Sequence, residues 1–78
     1  MKAAGYLRGI PDLLIFEPSG DYFGLAIELK AGKGRASPHQ LEALKSLRAR
    51  GWRGEVAVGW DDALDLLNEY FPDLNFRA

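Results

Sequence analysis

The sequence predicts a small α+β domain, a mixed β-sheet with flanking helices in the order β-β-α-β-α. Three observations carry this. Two apolar runs, residues 11–17 and 22–30, flank the turn-forming string Pro18-Ser19-Gly20-Asp21. A capped, apolar-periodic stretch follows near residues 38–50. A third apolar run at residues 55–60 is trailed by a second helical pattern. A hairpin, a crossover helix and a further strand give a sheet with both antiparallel and parallel pairs, covered by the helices.

Each element has a local cause. Pro11 opens the first strand, and the alternation after it puts Leu13 and Ile15 on one face and Asp12, Leu14 and Phe16 on the other. In the second strand Leu25, Ile27 and Leu29 share a face, opposite Ala26, Glu28 and Lys30. Residues 31–36, Ala-Gly-Lys-Gly-Arg-Ala, read as a flexible loop. Ser37 is placed as a helix N-cap, with Pro38 at the first helical position and Gln40 completing a capping box. That helix runs to about Arg50 and stops at Gly51, with Leu41, Leu44 and Leu47 as its apolar stripe beside Ala43. Residues 55–60 are expected as the third strand. Asp61 or Asp62 then caps a helix carrying Ala63, Leu64, Leu67 and Tyr70 or Phe71, limited by Pro72.

Composition bounds the function. A chain of 78 residues holds a single domain, 1–78, which buries only roughly 60% of its unfolded surface. It has no cysteine and one histidine, which excludes disulfide scaffolds and the usual zinc sites. No apolar run approaches the ~18 residues of a membrane span, and no signal-peptide pattern follows Met1-Lys2. The expectation is a cytoplasmic protein with no membrane partner. The net charge of −1 hides an uneven distribution: residues 30–53 carry +6, while residues 54–78 carry −5. A local basic segment attracts polyanions whatever the overall charge, because fields decay over about 8 Å at physiological salt.

The chemistry concentrates where the strand pattern is broken. Hairpin pairing with residue numbers summing to 40 sets Asp12 opposite Glu28 on one face and keeps the apolar faces matched. A sum of 39 scrambles both faces unless a bulge restores the register. Two opposed carboxylates about 4.5–5.5 Å apart at Cβ repel unless a cation lies between them. Mg²⁺ or Mn²⁺ suits such an oxygen site, with the carbonyl of Leu29 as a further ligand. Lys30 projects to the same side, placed to orient a water or steady charge on a phosphate. The chemistry is that of metal-assisted phosphodiester hydrolysis.

The string Gly9-Ile10-Pro11-Asp12-Leu13 with Ile27-Glu28-Leu29-Lys30 resembles the PD-(D/E)XK nuclease superfamily. The basic glycine-rich loop, Ser37-Pro38-x-Gln40, Leu47 and Gly51 extend the resemblance to the VRR-NUC (virus-type replication-repair nuclease) family over about residues 5–60. The resemblance implies a restriction-endonuclease-like core of αβββαβ type, a divalent metal and a DNA substrate. Small stand-alone members are often phage-encoded dimers that act on branched DNA such as four-way junctions. By position, Asp12 and Glu28 are then metal ligands, Lys30 the catalytic lysine, and Gln40 the family's glutamine near the site. The chain departs from the family pattern at its start, where no acid precedes Asp12. That departure supports a second reading, a catalytically inactive nuclease-like fold serving as a nucleic-acid-binding or protein-interaction module.

Around this centre, Lys33 and Arg35 are expected to hold a phosphate backbone, with the flanking glycines allowing close approach. Tyr6 and Arg8 are further candidates for DNA contact. His39 reads as an exposed early-helix residue, and Trp52 and Trp60, which bracket the third strand, as core or dimer packing residues. The acidic second helix should point away from the basic loop, and its apolar stripe is a candidate homodimer interface.

Overall fold

The computed structural model describes residues 10–77. Strand β1 is Leu13–Ile15, β2 is Leu25–Lys30, helix α1 is Pro38–Ala49, β3 is Arg53–Val58 and α2 is Gly59–Tyr70. The sheet order is β1-β2-β3, antiparallel between the first two strands and parallel between the last two. This is the expected mixed sheet in β-β-α-β-α order. Among the described residues it has three strands, fewer than an αβββαβ core would supply.

Central β2 is the most buried element, with Leu25, Ala26 and Ile27 fully inaccessible to solvent. Its two faces divide as the alternation requires. Leu25 and Ile27 pack with Ala57, Ala63 and Tyr70, and with Leu13, Ile15, Leu29, Leu66, Leu67 and Phe71 around them, so α2 covers this side. The opposite face carries Ala26 and Glu28, paired across β3 with Gly54 and Val56. Helix α1 lies over this side, with Leu44 close against Gly54. The two helices thus lie on opposite faces of the sheet, while the basic loop after Lys30 and the acidic first turn after Val58 leave from the same end of the paired strands β2 and β3. The apolar stripe of α2 is consumed by the core, so it is not available as a dimer interface.

The hairpin register is Leu13↔Ile27, Leu14↔Ala26 and Ile15↔Leu25, the sum of 40 that the apolar pattern selects. At the tip, Ser19 and Tyr22 pair across Gly20-Asp21, with Gly20 at φ 57°. That tip pair sums to 41, so the first arm carries one residue more than the second. The extra residue lies in the stretch containing Pro18, which has no N–H to offer a ladder. The first strand is accordingly shorter than the run 11–17.

Other boundaries differ from expectation. Strand β3 begins at Arg53 because Arg53 N–H donates to the Gly24 carbonyl at 2.9 Å, extending the parallel ladder backwards. Gly59 and Trp60 fall in α2, since the backbone breaks out of the strand at Gly59 with φ 83°. No side chain caps α2 from the N-cap position; Asp62 instead reaches back to accept from Val58 N–H at 3.0 Å. Residues 71–77 form neither helix nor strand, and Asn68 pins them by a reciprocal pair of bonds to the Phe76 backbone. Leu41 is half exposed and lies outside the packed stripe of α1, whose one buried side chain is Leu44. No described helix is long and apolar enough to cross a membrane.

Candidate active site

The hairpin register brings Asp12, just ahead of β1, level with Glu28 in β2. Asp12 Oδ2 accepts from the backbone N–H of Leu29 at 2.8 Å, which fixes the exposed carboxylate against the strand. Leu29 therefore meets Asp12 through its N–H. Glu28 is only 1% exposed and is the buried charged side chain of the core. Its Oε2 receives two donors, Gln40 Nε2 at 2.9 Å and Lys30 Nζ at 3.3 Å. Its Oε1 is buried with no hydrogen-bond partner.

An acceptor in that state is costly, about 1–3 kcal/mol, and calls for a partner such as a water or an ion. The energetics agree. The Glu28 carboxyl is held above its usual range by burial, by a short approach of the Asp12 carboxyl that favours a shared proton, and by the negative charge of Asp12. Lys30 opposes this but does not cancel it. The two acids thus lie close together with insufficient positive charge between them.

Gln40 reaches this centre through its role in α1. Ser37 Oγ accepts from Gln40 N–H at 3.2 Å and Gln40 Oε1 accepts from Ser37 N–H at 2.7 Å. The expected capping box is complete, and its far end touches Glu28. Asp12, Glu28, Lys30 and Gln40 are therefore brought together. Lys33 and Arg35 lie in the loop between β2 and α1, exposed and without an ion pair among the described residues. Tyr6 and Arg8 lie outside the described residues.

The donor set fits a hard divalent cation. It offers carboxylate oxygens with one orphaned, and no soft ligand. Among the described residues no cluster of three acidic or histidine side chains forms, so the protein would supply two acids and leave positions for water and a phosphate.

A cavity of 540 Å³, not anticipated from the sequence, opens beside this centre between β1 and α1. Pro11 and His39, chain neighbours of Asp12 and Gln40, form part of its wall, along with Leu14, Phe16, Leu47 and Trp52. The signal was present in the alternation, which puts Leu14 and Phe16 on the face of Asp12, opposite Ala43 and Leu47 of α1. Trp52 does pack, edge-on to Phe16 at 5.3 Å and against Gly24, whereas Trp60 is 68% exposed and so lies outside the core of the chain.

Comparison with known proteins bears on this geometry directly. Residues 2–61 match the model of the VRR-NUC domain. A solved structure described as a VRR_NUC domain protein is similar to this chain with a TM-score of 0.80 and 34% sequence identity. The similarity covers 96% of this chain and 66% of that one, so this chain spans just under two thirds of its neighbour's length. No curated protein matches.

Proposed function

The chain belongs to the VRR-NUC domain family, a family of nuclease-type fold, and from that premise we propose that it is a metal-dependent DNA endonuclease hydrolysing phosphodiester bonds. The observation that carries the reading is the buried, unpartnered Oε1 of Glu28 beside the carboxylate of Asp12. Asp12 and Glu28, with the carbonyl of Leu29, would hold Mg²⁺ or Mn²⁺, which supplies Lewis-acid polarisation of the scissile phosphate when bound.

The remaining chemistry belongs to the chain's own groups. Lys30, held at Glu28 Oε2, presents an ammonium at the rim of the site, where it orients the attacking water and steadies the charge that develops on the phosphate. Asp12 is the exposed member of the acid pair and faces the incoming substrate, while Glu28 is the fixed one. Lys33 and Arg35 hold the flanking phosphates. Four-way junctions and other branched DNA are the substrates proposed, with a homodimer as the acting form. The exposed aromatic rings of Phe16 and Phe23, near one end of the sheet, offer apolar surface for that assembly.

The test is incubation of the purified protein with branched, flapped and linear duplex DNA, with and without Mg²⁺ or Mn²⁺. Cleavage that requires the metal and falls at least about 100-fold in both Asp12→Asn and Lys30→Met is the expected result. Salt-sensitive DNA binding without cleavage under any metal would replace the proposal with the non-catalytic reading.

A further inference from the structure

Gln40 uses the two ends of its amide for different tasks. Oε1 accepts from Ser37 N–H, and a backbone N–H can only be met by the oxygen end. The amide orientation is therefore fixed by the first turn of α1, and Nε2 is committed to point at Glu28 Oε2. Lys30 adds a second donor to that same oxygen. Both nitrogen donors that Glu28 receives fall on Oε2, and Oε1 has no donor in its buried position.

From this asymmetry we infer that Gln40 is a positioning residue: its locked amide holds Glu28 by one oxygen, so that the other alone is presented to a divalent cation. The inference rests on the metal-site reading above. It also assigns a consequence for metal choice. A carboxylate offering one oxygen suits the octahedral demands of Mg²⁺ and Mn²⁺, whereas one free to offer both suits the larger, many-coordinate Ca²⁺. The Gln40 half of the capping box thereby sets metal discrimination as well as helping to start the helix.

The alternative is that Gln40 serves only the helix, and Ser37→Ala separates the two. That variant removes the Ser37 Oγ half of the box but keeps Ser37 N–H, so Gln40 still reaches Glu28. Gln40→Met removes the donor to Glu28 at similar volume. Gln40→Glu keeps an acceptor for Ser37 N–H, preserving the cap, while deleting the donor. Calorimetric titration of each metal-free protein with Mn²⁺ and with Ca²⁺ gives the readout.

Gln40→Met should bind Mn²⁺ about tenfold more weakly, the usual scale for losing a partner that orients a ligand. Both Gln40 variants should narrow the preference for Mn²⁺ over Ca²⁺, and Ser37→Ala should match the parent protein within about twofold. An unchanged preference in both Gln40 variants, or an equal loss in Ser37→Ala, overturns the inference while leaving the site intact. A parent protein that takes up no Mn²⁺ overturns the metal site and the inference with it.

Discussion

Glu28→Gln should make the metal-free protein more stable, and the size of the gain follows from the site. In the native chain Oε2 accepts from Gln40 and Lys30, while Oε1 is buried without a partner. A glutamine at this position can place its carbonyl oxygen where Oε2 lies and keep both donors. Its amide nitrogen then occupies the place of Oε1 and can donate to the nearby Asp12 carboxylate. One unsatisfied buried acceptor is removed, which contributes about 1–3 kcal/mol. For a domain of this size about 2 kcal/mol corresponds to roughly 8–16 °C in Tm. The pH dependence has a definite sign. Burial and Asp12 raise the Glu28 pKa above its ordinary 4.5, so the native state holds its proton more tightly than the unfolded chain does. The contribution of that carboxyl to stability is full below about pH 4.5 and is lost as pH rises through the raised value. The advantage of Glu28→Gln should therefore be small near pH 4 and open as pH rises towards 8. Thermal melts in chelator across that range provide the assay, and Mn²⁺ should then raise the Tm of the parent protein alone. A variant that melts at or below the parent in metal-free buffer at pH 8 would show that Glu28 is not held against its own preference, and the argument for a cation at Oε1 would fail.

Other expected outcomes follow from the same geometry. Lys33→Ala combined with Arg35→Ala should weaken DNA binding across sequences and lower the slope of log affinity against log salt by about 2, measured by fluorescence anisotropy at several salt concentrations. The same pair should leave thermal stability nearly unchanged, since both side chains are exposed loop cations. Gly24→Ala should cost about 1–3 kcal/mol in chemical denaturation, because the added methyl would lie 2.5 Å from the Trp52 ring.

The fold and the acid pair were legible because apolar alternation and hairpin register constrain each other. Only one register satisfied both Leu13–Ile27 and Ile15–Leu25, and it carried Asp12 to Glu28 as a consequence. The capping box was equally legible, since Ser37, Pro38 and Gln40 state it within four residues. What escaped were features set by distant contacts. The start of β3 at Arg53 depends on a bond to Gly24, far away in the chain. The start of α2 depends on Gly59 leaving the strand conformation, where the run Val56-Ala57-Val58-Gly59-Trp60 reads as continuous strand. Leu41 has the spacing of a core residue but finds no sheet beneath it among the described residues, because α1 lies over β2 and β3.

The basic middle segment shows why charge counted along a sequence misleads. Arg48 donates from Nε to the Gly54 carbonyl at 2.8 Å and ties α1 to β3. Arg50 bonds Ser46 within the helix, and Arg53 pairs with Glu55 and Glu69. Arg48 and Arg53 thus link α1, β3 and α2, while Arg50 stays within its own helix. Of the cations in residues 30–53, Lys30 is bound to Glu28, while Lys33, Arg35 and Lys45 are exposed and without an ion pair among the described residues. The charge not engaged by the fold is therefore smaller than the sequence total, and two of its three cations lie in the loop that leaves β2 directly after the acid pair. Two acids close together favour a cation, and that cation together with the loop favours a phosphate. The order of residues along β2, with Glu28, then Lys30, then the basic loop, is thus also the order in which a nucleic acid backbone would meet them. Moving Lys33 and Arg35 elsewhere on the surface would preserve the net charge but should abolish this alignment.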